Sequence, residues 1–254
     1  MKIRCYSIKP STTHFGFKEI PTIEKQSRVS SVFSSVASSY DRMNDLMSFG
    51  IHRLWKNHFV SQLDPFSNGN YLDVAGGTGD IAFRIKSKAP NAKVTVLDLN
   101  PDMLQVGSQR SIEKGLREIE FVQGNAELLE SIESESKDAY TIAFGIRNCT
   151  HIDKVLTEAY RVLKPGGRFM CLEFSHVNTP VLKQVYDLYS FQVIPKMGKA
   201  VANDEDSYQY LVESIRQFPT QSEFASLIKN AGFKHVTWEN LNFGIAAIHS
   251  GYKF

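Results

Sequence analysis

The chain has 254 residues, 42% of them hydrophobic and 22% charged, with 29 Lys and Arg against 27 Asp and Glu. That length can bury a large core in one α/β domain or two small ones, and the composition excludes disorder throughout, while 16 Gly and 9 Pro exclude collagen. A formal charge of +2 gives no general field for nucleic acid, and no uncharged apolar run approaches the roughly 18 residues of a membrane span, so any membrane contact would be peripheral.

Cys5, Cys149 and Cys171 are odd in number and far apart, which favours a reducing compartment and fits neither a zinc site nor a disulfide framework. Residues 1–18 carry Lys2, Arg4, Lys9 and Lys18, no acid, and hydroxyls around Ser11–Thr13. They lack the apolar stretch of a secretory signal. Such a start suits the remnant of a mitochondrial transit peptide, and a frayed terminus has the same composition. We therefore set residues 1–24 apart from a single domain over 25–254.

Apolar residues at helical spacing from Ile23 through Val29, Phe33, Val36 and Tyr40 predict a helical extension to about Met47. A second helix is predicted over Arg53–Leu63, then a turn over Pro65–Asn70. Strand and helix then alternate: Tyr71–Val74, Asp80–Lys88, Lys93–Leu97, Pro101–Lys114, Glu120–Gln123, Tyr140–Phe144, Ile152–Leu163 and Arg168–Glu173. Lys164-Pro165-Gly166-Gly167 stops the helix before the last of these strands. The rhythm predicts a mostly parallel sheet with helices on both faces. Residues 175–218, rich in Tyr and Phe, interrupt it. A helix over Gln221–Asn230 and strands over His235–Asn240 and Ile245–Tyr252 then close the sheet with an antiparallel hairpin.

The chemistry gathers at strand ends. Asp73-Val74-Ala75-Gly76-Gly77-Thr78-Gly79-Asp80 joins a strand to a helix, where glycines admit a ligand to the backbone and a helix N-terminus attracts an anionic group. Gly76, Gly77 and Thr78 are therefore candidate cofactor contacts. The glycine spacing departs from the G-x-G-x-x-G of dinucleotide enzymes, which disfavours an NAD-dependent oxidoreductase. Asp98 ends the next strand, where a carboxylate can accept both hydroxyls of a ribose. Asn125 and Ala126 follow the third strand, where an amide and a backbone N–H can read an adenine edge.

In this order, these features resemble the class I S-adenosylmethionine-dependent methyltransferases, with a Rossmann-like seven-stranded sheet. The resemblance narrows at Tyr40-Asp41-Arg42-Met43-Asn44-Asp45-Leu46-Met47-Ser48 and Gly50-Ile51-His52-Arg53-Leu54-Trp55-Lys56. With Phe144-Gly145-Ile146-Arg147-Asn148, Leu172-Glu173-Phe174-Ser175-His176, and the stretch from Ala202-Asn203-Asp204 to Glu213-Ser214-Ile215-Arg216, these look like the ubiquinone/menaquinone biosynthesis C-methyltransferase family across residues 25–254. The wording after Ser207 is similar to the eukaryotic mitochondrial coenzyme Q branch.

That resemblance implies S-adenosyl-L-methionine as cofactor, no metal, and ring-carbon methylation of 2-methoxy-6-polyprenyl-1,4-benzoquinol. It also implies a multi-subunit complex with other coenzyme Q biosynthesis proteins and a place on the matrix side of the mitochondrial inner membrane. A naphthoquinol of menaquinone synthesis and a scaffolding role in that complex are the alternatives. Arg147, after an apolar strand, is the candidate catalytic group, able to hold a ring oxygen as it gains charge. Tyr40, His176, Asn203, Tyr208 and Arg216 are candidate substrate contacts. The segment 175–218 is read as a lid over an isoprenoid channel, and its aromatic content suits a homodimer surface or ordinary core equally well.

Overall fold

A computed structural model describes residues 11–36, 40–116, 118–202 and 204–254. Its centre is a seven-stranded sheet made of β3 (Asn70–Val74), β4 (Lys93–Asp98), β5 (Ile119–Gln123), β6 (Lys137–Ala143), β7 (Leu163–Phe174), β8 (Lys234–Leu241) and β9 (Ala246–Tyr252), in the order β5-β4-β3-β6-β7-β9-β8. The first five strands run parallel, and β9 is antiparallel to both β7 and β8. The antiparallel closure expected from the C-terminal sequence is present. The chain builds outward from β3 to β5, then returns to β6 on the other side of β3. The crevice beyond the carboxyl ends of β3 and β6 is therefore the switch point where open α/β sheets bind ligands.

Both faces of the sheet are covered, so its strands read as apolar runs: Leu72, Val74, Val96 and Ile142 are all wholly buried. α6 (Ile152–Val162) and α10 (Gln221–Asn230) pack Val155, Leu156, Phe224 and Ile228 on one face. α3 (Ile51–Leu63), α4 (Asp80–Lys88) and α5 (Pro101–Glu113) pack Phe59, Ile81, Ile85 and Leu104 on the other. Asn100 caps α5 by accepting from the N–H groups of Asp102 and Met103, with Pro101 in the first turn.

The N-terminal extension is helical as expected, in α1 (Thr22–Val36) and α2 (Tyr40–Ser48), with residues 37–39 outside the described residues. The N-terminal hairpin and the start of β7 differ from the sequence expectations. Residues 12–21 form a hairpin of β1 (Thr12–Phe15) and β2 (Lys18–Pro21) around Gly16 at φ 59°, and Phe15 stacks on Tyr210 with ring centroids 4.1 Å apart. β7 starts at Leu163 and runs through Pro165-Gly166-Gly167, since Gly166 at φ 81° lets its N–H reach the Lys253 carbonyl at 2.7 Å.

The interrupting segment is helical: α7 (Pro180–Leu188), a π-helical stretch at Tyr189–Val193, α8 (Ile194–Ala202) and α9 (Glu205–Gln217). The π turn lies directly before Pro195, whose ring cannot continue regular α-helical bonding.

Candidate active site at the switch point

β3 runs into a loop whose backbone is left-handed at Ala75 (φ 49°), Gly77 (φ 52°) and Gly79 (φ 79°) before α4 begins. A Cβ on Gly76 would lie 2.8 Å from both the Asp73 carboxylate and Val96, and one on Gly77 would lie 3.0 Å from Met103. The glycines therefore let the loop lie flat against β4. Asp98 fixes that position: its Oδ2 accepts the Gly77 N–H at 2.8 Å, and its Oδ1 accepts the Asn100 N–H at 2.9 Å. Burial pushes the Asp98 carboxyl above its ordinary range, and the backbone donors offset part of that shift. A carboxylate offers about four lone-pair sites, so acceptor capacity remains for an outside donor.

Asp73 lies beneath the loop and is fully buried. Its Oδ1 accepts from the Thr141 hydroxyl at 2.9 Å, while Oδ2 has no partner. Burial pushes this carboxyl up to about 7. A buried, unpaired carboxylate oxygen at a cavity wall is a receptor for a cationic group.

These groups line an open cavity. Gly124, Asn125, Ala126 and Glu127 from the end of β5 form its far wall. Asn125 accepts the Glu127 N–H at 2.9 Å, and the Glu127 carboxylate accepts the backbone N–H groups of Thr150 (2.6 Å) and His151 (3.2 Å). Val29, Ser30 and Phe33 of α1 form the roof. Asn100 holds α1 there by donating to the Ser30 carbonyl at 3.0 Å and the Ser34 hydroxyl at 2.9 Å.

A second open cavity adjoins the first. Its wall is largely apolar or aromatic, drawn from Met47, Trp55, Phe174, Tyr189, Ile194 and Tyr208 among others. Phe33, Lys56 and Phe144 face both cavities. Phe144 sits at φ 58°, a strained conformation for a bulky side chain, and its N–H is held by the Leu172 carbonyl at 2.7 Å.

Arg147 lines the second cavity as part of a buried ion pair. Its Nη1 donates to Glu173 Oε1 at 2.7 Å and to the Phe144 carbonyl at 2.6 Å, and its Nε donates to the Ser214 hydroxyl at 3.3 Å. The guanidinium stands 5.6 Å from the Phe174 ring centroid.

The predicted residues separate clearly. Gly76, Gly77, Thr78, Asp98, Asn125 and Ala126 share the first cavity; Arg147 and Tyr208 share the second. His176 lines neither: its Nε2 meets the Phe218 carbonyl at 2.7 Å and ties the segment after β7 to the C-terminal end of α9. Arg216 also lies outside both, paired with Asp187 at 2.5 Å and resting on the Tyr186 and Phe191 rings, so it joins α9 to α7. Asn203 lies outside the described residues, as does the side chain of Tyr40, although Tyr40 opens α2.

Sequence reasoning missed Asp73 as a cofactor-side acid, Glu127, Lys56 and the Glu173 partner of Arg147. Asp73 stands in the glycine-loop motif, and Glu127 directly follows Asn125 and Ala126 in the sequence. The ion pairs had no local signal, because their partners are 24 and 26 residues away. Among the described residues, no group of three or more His, Cys, Asp or Glu could hold a metal ion.

A mostly parallel sheet with an antiparallel end, a glycine loop at the switch point and an acid on the next strand define a class I S-adenosylmethionine-dependent methyltransferase. Residues 22–253 match the ubiE/COQ5 methyltransferase family, and the chain belongs to it. It is 54% identical to the mitochondrial 2-methoxy-6-polyprenyl-1,4-benzoquinol methylase of Arabidopsis thaliana, over 97% of this chain and 92% of that protein. It is 58% identical to the ubiquinone/menaquinone biosynthesis C-methyltransferase UbiE of Bartonella tribocorum, over 94% of this chain and 93% of that protein.

Solved structures share the fold at low identity. An S-adenosylmethionine-dependent methyltransferase from Thermotoga maritima superposes with a TM-score of 0.64 at 20% identity, covering 88% of this chain and 98% of that one. Phosphoethanolamine N-methyltransferase 2 of Haemonchus contortus, in complex with S-adenosyl-L-methionine, gives 0.58 at 16% identity, covering 78% of this chain and 52% of that one.

The first cavity suits that cofactor. The unpaired Oδ2 of Asp73 matches its cationic methionine portion, and the spare lone pairs of Asp98 match a ribose diol. Gly76 and Gly77 line the same cavity and carry no Cβ, which leaves their backbone open to a bound nucleoside.

Proposed function

We propose that this chain methylates a ring carbon of 2-methoxy-6-polyprenyl-1,4-benzoquinol. The observation that carries this reading is the large apolar cavity opening beside the cofactor cavity, with Phe144 and Lys56 in the partition. It suits a planar ring bearing an isoprenoid tail, and the names of the plant relatives point to the same substrate. The cofactor supplies an electrophilic methyl on a sulfonium. The chain must hold the ring in line with that methyl, exclude water and stabilise the ring oxygen as it becomes negative. A site of low polarity favours the step because the opposite charges of phenolate and sulfonium cancel during transfer.

Arg147 holds one ring oxygen from the substrate side, through Nη2, which donates to no described group. Gly76, Gly77, Thr78 and Asp98 hold the cofactor, while Asn125 and Ala126 meet its base. Tyr208 packs the wall of the ring cavity. In an assay with radiolabelled methyl donor, a short-tailed 2-methoxy-6-prenyl-1,4-benzoquinol is expected to be methylated at least about tenfold faster than a demethylated naphthoquinol. Equal or reversed rates would favour the menaquinone reading.

The long apolar substrate must come from a bilayer. No helix among the described residues is long and apolar enough to cross one. α7 instead exposes Val181, Leu182, Val185 and Leu188, an apolar stripe over the substrate cavity's lid. We place this stripe on the matrix face of the mitochondrial inner membrane. The chain is expected to float with inner-membrane-composition liposomes, and Val185→Glu/Leu188→Glu to remain in the aqueous fraction. Equal flotation of the two would remove α7 from the contact.

A further inference from the structure

Lys56 is the one charged residue, among those described, that lines both cavities. It projects from α3 and is buried, with Nζ 2.8 Å from Asp80 Oδ2 and about 6.0 Å from the Phe144 ring centroid. Asp80 is shared: the Arg84 guanidinium also binds it, through Oδ1. Asp80 is thereby divided between two cations, so it does not match Lys56 one to one. Arg147, by contrast, is matched one to one by Glu173. The other groups facing Lys56 are Asp73, with Oδ1 held by Thr141, and His52 one turn earlier on α3, with Nε2 on Asp45 at 2.9 Å. Burial lowers the affinity of His52 for a proton, so it adds no second charge.

We propose that Lys56 is a catalytic residue whose ammonium donates a hydrogen bond to the quinol oxygen that turns negative as the adjacent ring carbon is methylated. This rests on the quinol-methylating reading above. The hydroxyl proton leaves to solvent water, and the electron pair on oxygen drives the ring carbon onto the methyl. The carbon–carbon bond forms as the carbon–sulfur bond breaks and sulfur keeps its pair. The displaced ring hydrogen then leaves to water and the oxygen regains a proton, so one proton is released net. Lys56 keeps its own proton throughout. A quinol has two oxygens on opposite sides of the ring, so Lys56 can hold the one beside the reacting carbon while Arg147 holds the other.

The test uses the full chain with Lys56→Met, and Lys56→Gln, which keeps a donor for Asp80 should the first variant fold poorly. Three quantities are read: S-adenosylhomocysteine affinity by calorimetry, methyl transfer to the short-tailed quinol, and the absorbance of a bound 2-prenyl-4-nitrophenol, whose phenolate is coloured. Cofactor-product affinity is expected to stay within about threefold, while transfer falls roughly a hundred- to a thousandfold, the usual cost of one oxyanion donor. The phenolate-to-phenol ratio of the bound probe at fixed pH is expected to fall at least about tenfold. An unchanged ratio, or transfer within about threefold of wild type, overturns the proposal. So does a loss of S-adenosylhomocysteine affinity matching the loss of transfer, which would assign Lys56 to the cofactor. A wild-type chain that methylates neither quinol overturns the functional reading itself, and the proposal with it.

Discussion

Replacing Asp98 with alanine is expected to weaken S-adenosylhomocysteine binding by about two orders of magnitude or more, since two hydrogen bonds to a charged acceptor contribute roughly 1.5–3 kcal/mol each. The carboxylate acts twice. It presents its remaining acceptor capacity to a ribose diol, and it pins the Gly77 N–H, which sets how flat the glycine loop lies against β4. Asp98→Asn keeps the shape but can accept through one oxygen only, so its loss should fall between wild type and alanine. Calorimetric titration reads both variants. Affinities within about threefold of wild type would place the nucleoside elsewhere, and the assignment of the first cavity would fall with it.

The cofactor half of this site was legible because its geometry is local. A strand, a glycine loop and a helix are contiguous, and the topology of a doubly wound sheet places Asp98 beside them whatever the loops do. The substrate half is assembled from α1, α2, α3 and the helices after β7, which meet only in three dimensions. Helical spacing put Lys56 on a helix, yet nothing near it announced Asp80 as its partner or two cavities on either side of it. Arg147 and Glu173 stand in separate sequence motifs, and nothing in either signals that they touch. His176 and Arg216 show the converse. Both are functional residue types beside strand ends or aromatic side chains, but the backbone carbonyl of Phe218 and the carboxylate of Asp187 take up their polar atoms. The β1–β2 hairpin was illegible for a simpler reason: its strands are four residues each, and its ends carry charged and hydroxyl side chains without alternation.

Arg147→Ala is expected to lower folding stability by about 3–5 kcal/mol, because it strands a wholly buried carboxylate at Glu173. In a chain of this length that is a fall of roughly 10 °C in Tm. The sign with pH is fixed. Burial already raises the Glu173 carboxyl above its ordinary range, and losing the guanidinium raises it further. The native state then holds a proton that the unfolded chain releases above its ordinary carboxylate range, so the deficit grows as pH rises and shrinks as pH falls. Calorimetric melting across pH checks this; a deficit independent of pH would mean that Glu173 finds another donor. Arg147→Met/Glu173→Gln removes both charges and should recover most of the Tm. That double variant separates fold from chemistry. If Arg147 only anchors the turn after β6, methyl transfer should return with the Tm. If its free Nη2 holds the ring, transfer should stay low in a chain that folds and still binds S-adenosylhomocysteine, and we expect the second result.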